Sequence, residues 1–317
     1  MMNTGKGAVT AKDLQRFDED GVVCLRNIIS LAEVEALRAA VGAQLASLGT
    51  SPTGYDFEAL SRAAWDEGAA IDAGAASRFD MAGLKHLLAA DPSARPLLEA
   101  DASPETGLFL YDAAGWRQDE RIRDVAFLSP LPALAGELLR ARQVQFWEDT
   151  TFVKAPHTRQ KTAFHQDLGY FQISADQCVV AWVPLDPAGS WNGVTQYVRG
   201  SHRWGEVYAP NIFLSQTPFP GADGPRCPDI EVNPSAWDIV SFEVEPGDVI
   251  FHHVLTVHGA GGNPSASWRR AMSFRYCGDD VRFLDRQGAV PMVGGAMGHR
   301  DGDRLSPDVF PVVWQRP

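Results

Sequence analysis

The sequence predicts a mainly β protein with a helical buttress, its strands forming an antiparallel sandwich or barrel. Three features lead there. Six short runs of β-favouring residues follow one another from Val144 onward, glycine and proline punctuate them, and the opening stretch reads as helix, short strand, helix.

The six runs are 144–154, 177–184, 194–199, 239–243, 248–253 and 270–277, with turn sequences such as Asp186-Pro187-Ala188-Gly189 and Pro246-Gly247-Asp248 between them. Upstream, Thr10-x-x-Asp13 caps a first helix that Gly21 ends, and 22–25 is a short β-favouring run. Ser30-x-x-Glu33 then has the form of a capping box, followed by Val34, Leu37, Val41, Leu45 and Leu48 on one helical face. Residues 51–140 carry helical patches at 57–65, 82–88 and 134–139 and no motif, so they are expected to buttress the later sheet. The Pro/Gly-rich run 217–228 reads as one long loop, and loops of that kind often serve as lids. The chain is read as one domain: a mostly helical part and insertion at 1–140, a core at 144–277 and a tail at 278–317.

Composition narrows the function. Of the 317 residues, 45% are hydrophobic and 21% charged, which is the make-up of a soluble globular protein. The net charge of −12 opposes binding to a phosphate backbone, so nucleic acid is not an expected partner. Cys24, Cys178, Cys227 and Cys277 are scattered and are expected to be reduced thiols. No apolar run is long enough for a secretory signal or a membrane span, so a cytoplasmic protein acting on a small molecule is expected, with no membrane partner.

The chemistry concentrates around Phe164-His165-Gln166-Asp167. On extended chain, residues i and i+2 share a face, so His165 and Asp167 can reach one ion. An HxD pair alone is a common chance pattern, and a third ligand must come from elsewhere. His258, 93 residues later and just before a glycine-rich turn, is the candidate, with His253 its nearest rival. His157, His202 and His252 read as structural or surface residues. Two histidines and a carboxylate on one side of iron leave open positions for a co-substrate and O₂, as non-haem Fe(II) oxygenases require. Arg269 follows His258 by 11 residues at the start of the last run. A fixed guanidinium there suits the far carboxylate of 2-oxoglutarate.

In that combination the sequence resembles the phytanoyl-CoA dioxygenase family. The likeness rests on Lys154, His165-Gln166-Asp167-Leu168 with Tyr170-Phe171, Ala181-Trp182, Gly200-Ser201-His202, Gly247-Asp248, His258-Gly259 and Arg269, with 17–48 matching the family's opening. The resemblance implies a double-stranded β-helix, a cupin-like jelly roll with Fe(II) at its mouth. It further implies that Arg269 binds the 5-carboxylate of 2-oxoglutarate, that Trp182 lines the same pocket, and that Lys154 approaches the co-substrate. The implied reaction is hydroxylation of a substrate C–H bond, with succinate and CO₂ released. Arg199 departs from the family's usual proline before Gly-Ser-His, and 51–140 matches nothing in it, so the family's name does not transfer as a substrate. Tyr170, Gln172, Arg199 and Trp204 are candidate substrate contacts. Competing readings are a halogenase, which Asp167 disfavours, a cupin-like metal-dependent isomerase or hydrolase, in which Arg269 has no purpose, and a non-enzymatic β-sandwich binding module.

Overall fold

The first helices form where the caps place them. Thr10 accepts the Asp13 N–H while the Asp13 carboxylate accepts from the Thr10 backbone, which begins α1 (Ala11–Asp20); Ser30 and Glu33 do the same for α2 (Leu31–Ala46). Gly21 ends α1 in the left-handed region at φ 76° and turns the chain straight into β1 (Val22–Leu25). This structure, a computed structural model, describes residues 9–48, 51, 53–59, 107–174, 176–219, 221–286 and 298–317. The helical patch expected at 82–88, and most of that at 57–65, lie outside the described residues.

The remaining described elements are β2 (Gly54–Asp56), β3 (Phe109–Ala113), α3 (Glu120–Leu128), α4 (Leu131–Leu138), β4 (Gln143–Lys154), β5 (Thr162–His165), β6 (Cys178–Pro184), β7 (Thr195–Val198), β8 (Ile239–Ser241), β9 (Val249–His253), β10 (His258–Ala260), β11 (Arg269–Gly278) and β12 (Val312–Gln315), with short 3₁₀ turns between some of them. They build an 8-stranded sheet in the order β1-β9-β6-β11-β4-β3-β2, with β12 also pairing β4, and a 4-stranded sheet in the order β5-β10-β7-β8. The strand pairings are antiparallel. Two antiparallel sheets of this kind make a jelly roll.

Each of the six expected β runs contains a strand. The stretch 51–140 differs from its helical reading, because β2 and β3 also lie in it and extend the large sheet. Strand β3 owes its form to residue-by-residue pairing with β4, from Phe109 opposite Lys154 to Ala113 opposite Thr150, a distant contact that local pattern does not disclose. The tail likewise adds β12 to β4, and Phe310 stacks flat on Trp147 at 4.6 Å. The 217–228 loop is tied back to the chain before it, since Phe219 donates to the Pro210 carbonyl and Ala209 to that of Pro225.

The two faces of the large sheet have opposite characters. Its outer face meets the helices in the main apolar core, where Val34, Leu37 and Val41 of α2 are fully buried, with Leu45 and Leu48 partly so, against Phe146, Val183 and Phe251. On the inner face, directly opposed across β11 and β4, are Arg269 and Lys154, Ser273 and Thr150, and Arg275 and Glu148. A strand alternates its side chains, so one strand serves both an apolar packing layer and a polar chamber.

The packing predicts a contrast within α2. Leu37→Ala should cost about 2–5 kcal/mol, the range for a leucine deleted from a closed core. Leu31→Ala, at a side chain 70% exposed, should change stability by no more than about 0.5 kcal/mol. Urea unfolding midpoints of the two variants check this.

Candidate metal centre

Strand β5 ends on His165, and Asp167 opens a 3₁₀ turn (Asp167–Tyr170). The intervening Gln166 is extended, at φ −102° and ψ 143°, so His165 and Asp167 face the same way although only the first is in a strand. The side chain of Gln166 is occupied elsewhere. Its amide donates to the Leu255 and Glu206 carbonyls and its oxygen accepts the Tyr208 N–H, bracing two loops.

His258 begins β10 and is the direct cross-strand partner of His165, their rings 4.4 Å apart. The approach is close. A Cβ on Gly259 would stand 2.9 Å from the Phe164 ring and 3.0 Å from the Thr162 carbonyl, so only glycine fits beside the ligand. Each histidine points Nδ1 at a carbonyl two residues back, His165 at Ala163 (2.8 Å) and His258 at Thr256 (2.9 Å). A carbonyl only accepts, so Nδ1 carries the hydrogen and Nε2 presents its lone pair, the usual way a protein orients a metal-binding imidazole. Both Nε2 atoms face one oxygen of Asp167, with Oδ1 3.5 Å from His165 and 3.8 Å from His258. Three ligand atoms, one from each residue, lie within 4.8 Å of one another. That donor set fits a divalent ion such as Fe(II).

The other oxygen of Asp167 has its own partner, because Oδ2 lies 3.3 Å from Nε2 of His252. On sequence alone His252 reads as structural and His253 as the rival to His258. Alternation on β9 reverses that choice: His252 faces the chamber, whereas His253 packs on the outer side near Phe17 and His202. Burial raises the Asp167 carboxyl, but His258, His165, His252 and Arg275 together outweigh it and hold it well below the usual carboxylate range. Burial, reinforced by His165, pushes His258 well below the ordinary imidazole value, so it is neutral and able to ligate.

A cavity open to solvent adjoins these residues. Trp182 and Arg269 line it, as the resemblance implied, together with Thr195, Phe152, Phe213 and Arg275. Arg269 is 2% exposed, its Nε has no hydrogen-bond partner among the described residues, and burial lowers the guanidinium to about 10, which leaves it cationic near neutral pH. Lys154 stands opposite it in register, but the amine donates to the Gly261 carbonyl at 2.6 Å and lies 4.5 Å above the Phe109 ring.

The four candidate substrate contacts fall outside the residues lining this cavity. Tyr170 is buried, sets its ring edge-on 5.4 Å from His165, and donates its hydroxyl to Asn211, so it backs the ligand from behind. Gln172 donates to Asp285. Arg199 lies 3.9 Å from both Asp20 and Asp238, and Trp204 packs on Trp237 and Tyr208. Sequence reasoning missed His252, Phe213 and Arg275. For Arg275 a signal existed, since it is six residues after Arg269 on one strand and must share its face.

The class that fold and site define is matched in known proteins. The sequence profile of the phytanoyl-CoA dioxygenase family covers residues 17–271, so the chain belongs to that family. A probable phytanoyl-CoA dioxygenase of Caenorhabditis elegans is 30% identical over 128 residues, 40% of this chain and 39% of the relative. The peroxisomal phytanoyl-CoA dioxygenase of Homo sapiens is 28% identical over 145 residues, 43% of this chain and 40% of the relative. The match thus spans about 40% of these relatives' length. Among solved structures, the non-haem 2-oxoglutarate-dependent carbocyclase SnoK superposes with a TM-score of 0.65 at 21% identity, over 98% of this chain and all (100%) of that one. The epimerase SnoN, solved with Fe3+, 2-oxoglutarate and nogalamycin RO, gives 0.64 at 20% identity, over 96% of this chain and 98% of that one. Both share the jelly roll. No helix among the described residues is long and apolar enough to cross a membrane.

Removing His165, Asp167 or His258 by alanine substitution should abolish tight Fe(II) binding. His252→Ala should weaken it by about 10–100-fold, the usual effect of losing the partner of a ligating carboxylate. His253→Ala should leave it unchanged. Anaerobic Fe(II) titration against a competing chelator measures all five.

Proposed function

We propose that this protein is an Fe(II)- and 2-oxoglutarate-dependent dioxygenase that hydroxylates a C–H bond of a small molecule. The observation that carries the reading is Arg269, a buried cation whose Nε has no hydrogen-bond partner among the described residues, in the cavity that His165, Asp167 and His258 also line. A buried unpaired charge is costly, and an anionic ligand removes the cost.

His165, Asp167 and His258 hold the iron, and Arg269 takes the 5-carboxylate of 2-oxoglutarate through its planar fork. Lys154, directly opposite in register, is held at the Gly261 carbonyl, and burial followed by the nearby Arg269 pushes its amine well below the ordinary lysine value, so Arg269 is the cation at this end. The hydroxyl of Thr195 and the indole of Trp182 complete the wall around the co-substrate. Iron bound there supplies oxidation by O₂, in which 2-oxoglutarate is converted to succinate and CO₂ while a substrate C–H bond is hydroxylated. The aromatic rings of Phe152 and Phe213 keep water from the side where the substrate enters. A hydrolase or isomerase has no use for the unpartnered guanidinium. A halogenase needs the position that the Asp167 carboxylate fills.

Anaerobic protein with Fe(II) and 2-oxoglutarate should develop the weak visible charge-transfer band of the chelate, and its absence would end this reading. Arg269→Ala should raise the KM for 2-oxoglutarate more than tenfold, since losing a charge-assisted contact costs about 2–3 kcal/mol. Arg269→Lys should recover only part of the loss. Arg270 is the control. It lies on the outer face, paired with Asp186 at 2.7 and 2.8 Å, so Arg270→Ala should leave that KM unchanged.

A further inference from the structure

A second buried arginine lines the cavity and has no task in holding iron or 2-oxoglutarate. Arg275 is six residues after Arg269 on β11, so both face inward, and at about 3.3 Å per residue their backbones are about 20 Å apart. A single molecule of 2-oxoglutarate gripped at Arg269 and chelated to iron does not extend to Arg275.

The guanidinium of Arg275 is fixed in place. One corner, Nη1, donates to the Thr150 hydroxyl at 2.6 Å, and its centre sits 4.9 Å above the Phe171 ring. The residue is 4% exposed, and Nε is buried with no partner among the described residues. Among the described residues Arg275 forms no ion pair, although Glu148 is its register partner and Asp167 is near enough to feel its charge. Burial raises the Glu148 carboxyl, which weakens it as a permanent counter-ion. What remains is a rigid, enclosed cation whose Nε has no partner among the described residues, on a residue that lines the chamber six positions along β11 from the co-substrate arginine. A guanidinium edge of that form matches two oxygens of a carboxylate or phosphate.

We propose, resting on the iron and 2-oxoglutarate reading above, that Arg275 recognises the substrate and that the substrate carries an acidic group, a carboxylate or a phosphate monoester. The acidic group docks on the Nε edge, the body of the molecule packs on Phe152 and Phe213, and its C–H bond is thereby directed toward the metal ligands. The competing account is that Arg275 only offsets the charge of Glu148 and Asp167.

The test uses the full chain loaded anaerobically with Fe(II) and saturating 2-oxoglutarate, so that Arg269 is filled. Calorimetry then compares phenylacetate with phenylacetamide, and phenyl phosphate with phenol. At least one anion should bind about tenfold or more tightly than its neutral counterpart, the preference showing which acid is favoured. Arg275→Gln should erase the preference, Arg275→Lys should keep part of it, and Glu148→Gln should keep it whole. Equal binding of acids and neutral partners, no binding of any probe, or a preference that survives Arg275→Gln overturns the proposal. Loss of the preference in Glu148→Gln does so as well, in favour of charge balance. The charge-transfer band, read on the same sample, reports separately on the iron reading: a band without an acid preference sinks only the role of Arg275, whereas no band sinks the oxygenase reading itself.

Discussion

The pairing of β5 with β10 sets His165 and His258 directly opposite each other, and the rest of the site is arranged around that register. Antiparallel neighbours hold their side chains a few ångströms apart. Because each imidazole is also anchored to a carbonyl two residues back along the chain, the two Nε2 atoms converge without help from a metal. A slip of one residue between the strands would put the two rings on opposite faces. Asp167 completes the set from a turn rather than a strand, which gives its carboxylate freedom to divide its oxygens between the two ligands and His252.

The opposite wall solves a different problem. Arg269, Lys154 and Arg275 are basic side chains with little access to water, and a protein normally avoids burying such groups unless they are paired. They are carried on β11 and β4, whose other faces pack into the main apolar core beneath the helices. Strand β11 is hydrogen-bonded on both edges, to β4 and to β6. That support keeps a costly inner face in position, and it explains why the helical layer belongs to the site although none of the residues of α1–α4 lines the cavity.

Much of this was legible in the sequence where local chemistry decides structure. The two capping boxes, the glycine after α1, the β runs and the triad of His165, Asp167 and His258 all follow from short patterns. Strand β3 was not legible, because its five residues become a strand only by pairing with β4. The adjacent pair His252 and His253 shows a second limit. Composition cannot say which of two neighbouring histidines faces inward; the register of β9 with β6, Val180 opposite His252, decides it. Tyr170 follows the His165–Asp167 segment directly along the chain, yet the 3₁₀ turn sends it behind His165 rather than into the cavity.

Arg275 shows how far alternation alone can be taken. Once Arg269 is placed on the inner face, parity along β11 requires that Ala271, Ser273 and Arg275 follow it, and the cavity is in fact lined by the serine and the second arginine. The two guanidiniums differ in what holds them. Arg269 has no hydrogen-bond partner on the described chain and is free to adapt to a ligand common to the family's chemistry, whereas Arg275 is clamped by Thr150 and the Phe171 ring before any ligand arrives. A clamped cation loses little conformational entropy on binding and tolerates little variation in where its anion sits. On the proposed reading, one strand would carry both an anion grip for the co-substrate and a second, more selective one, and the distance between them along β11 would limit how the two ligands could lie on either side of His165, Asp167 and His258.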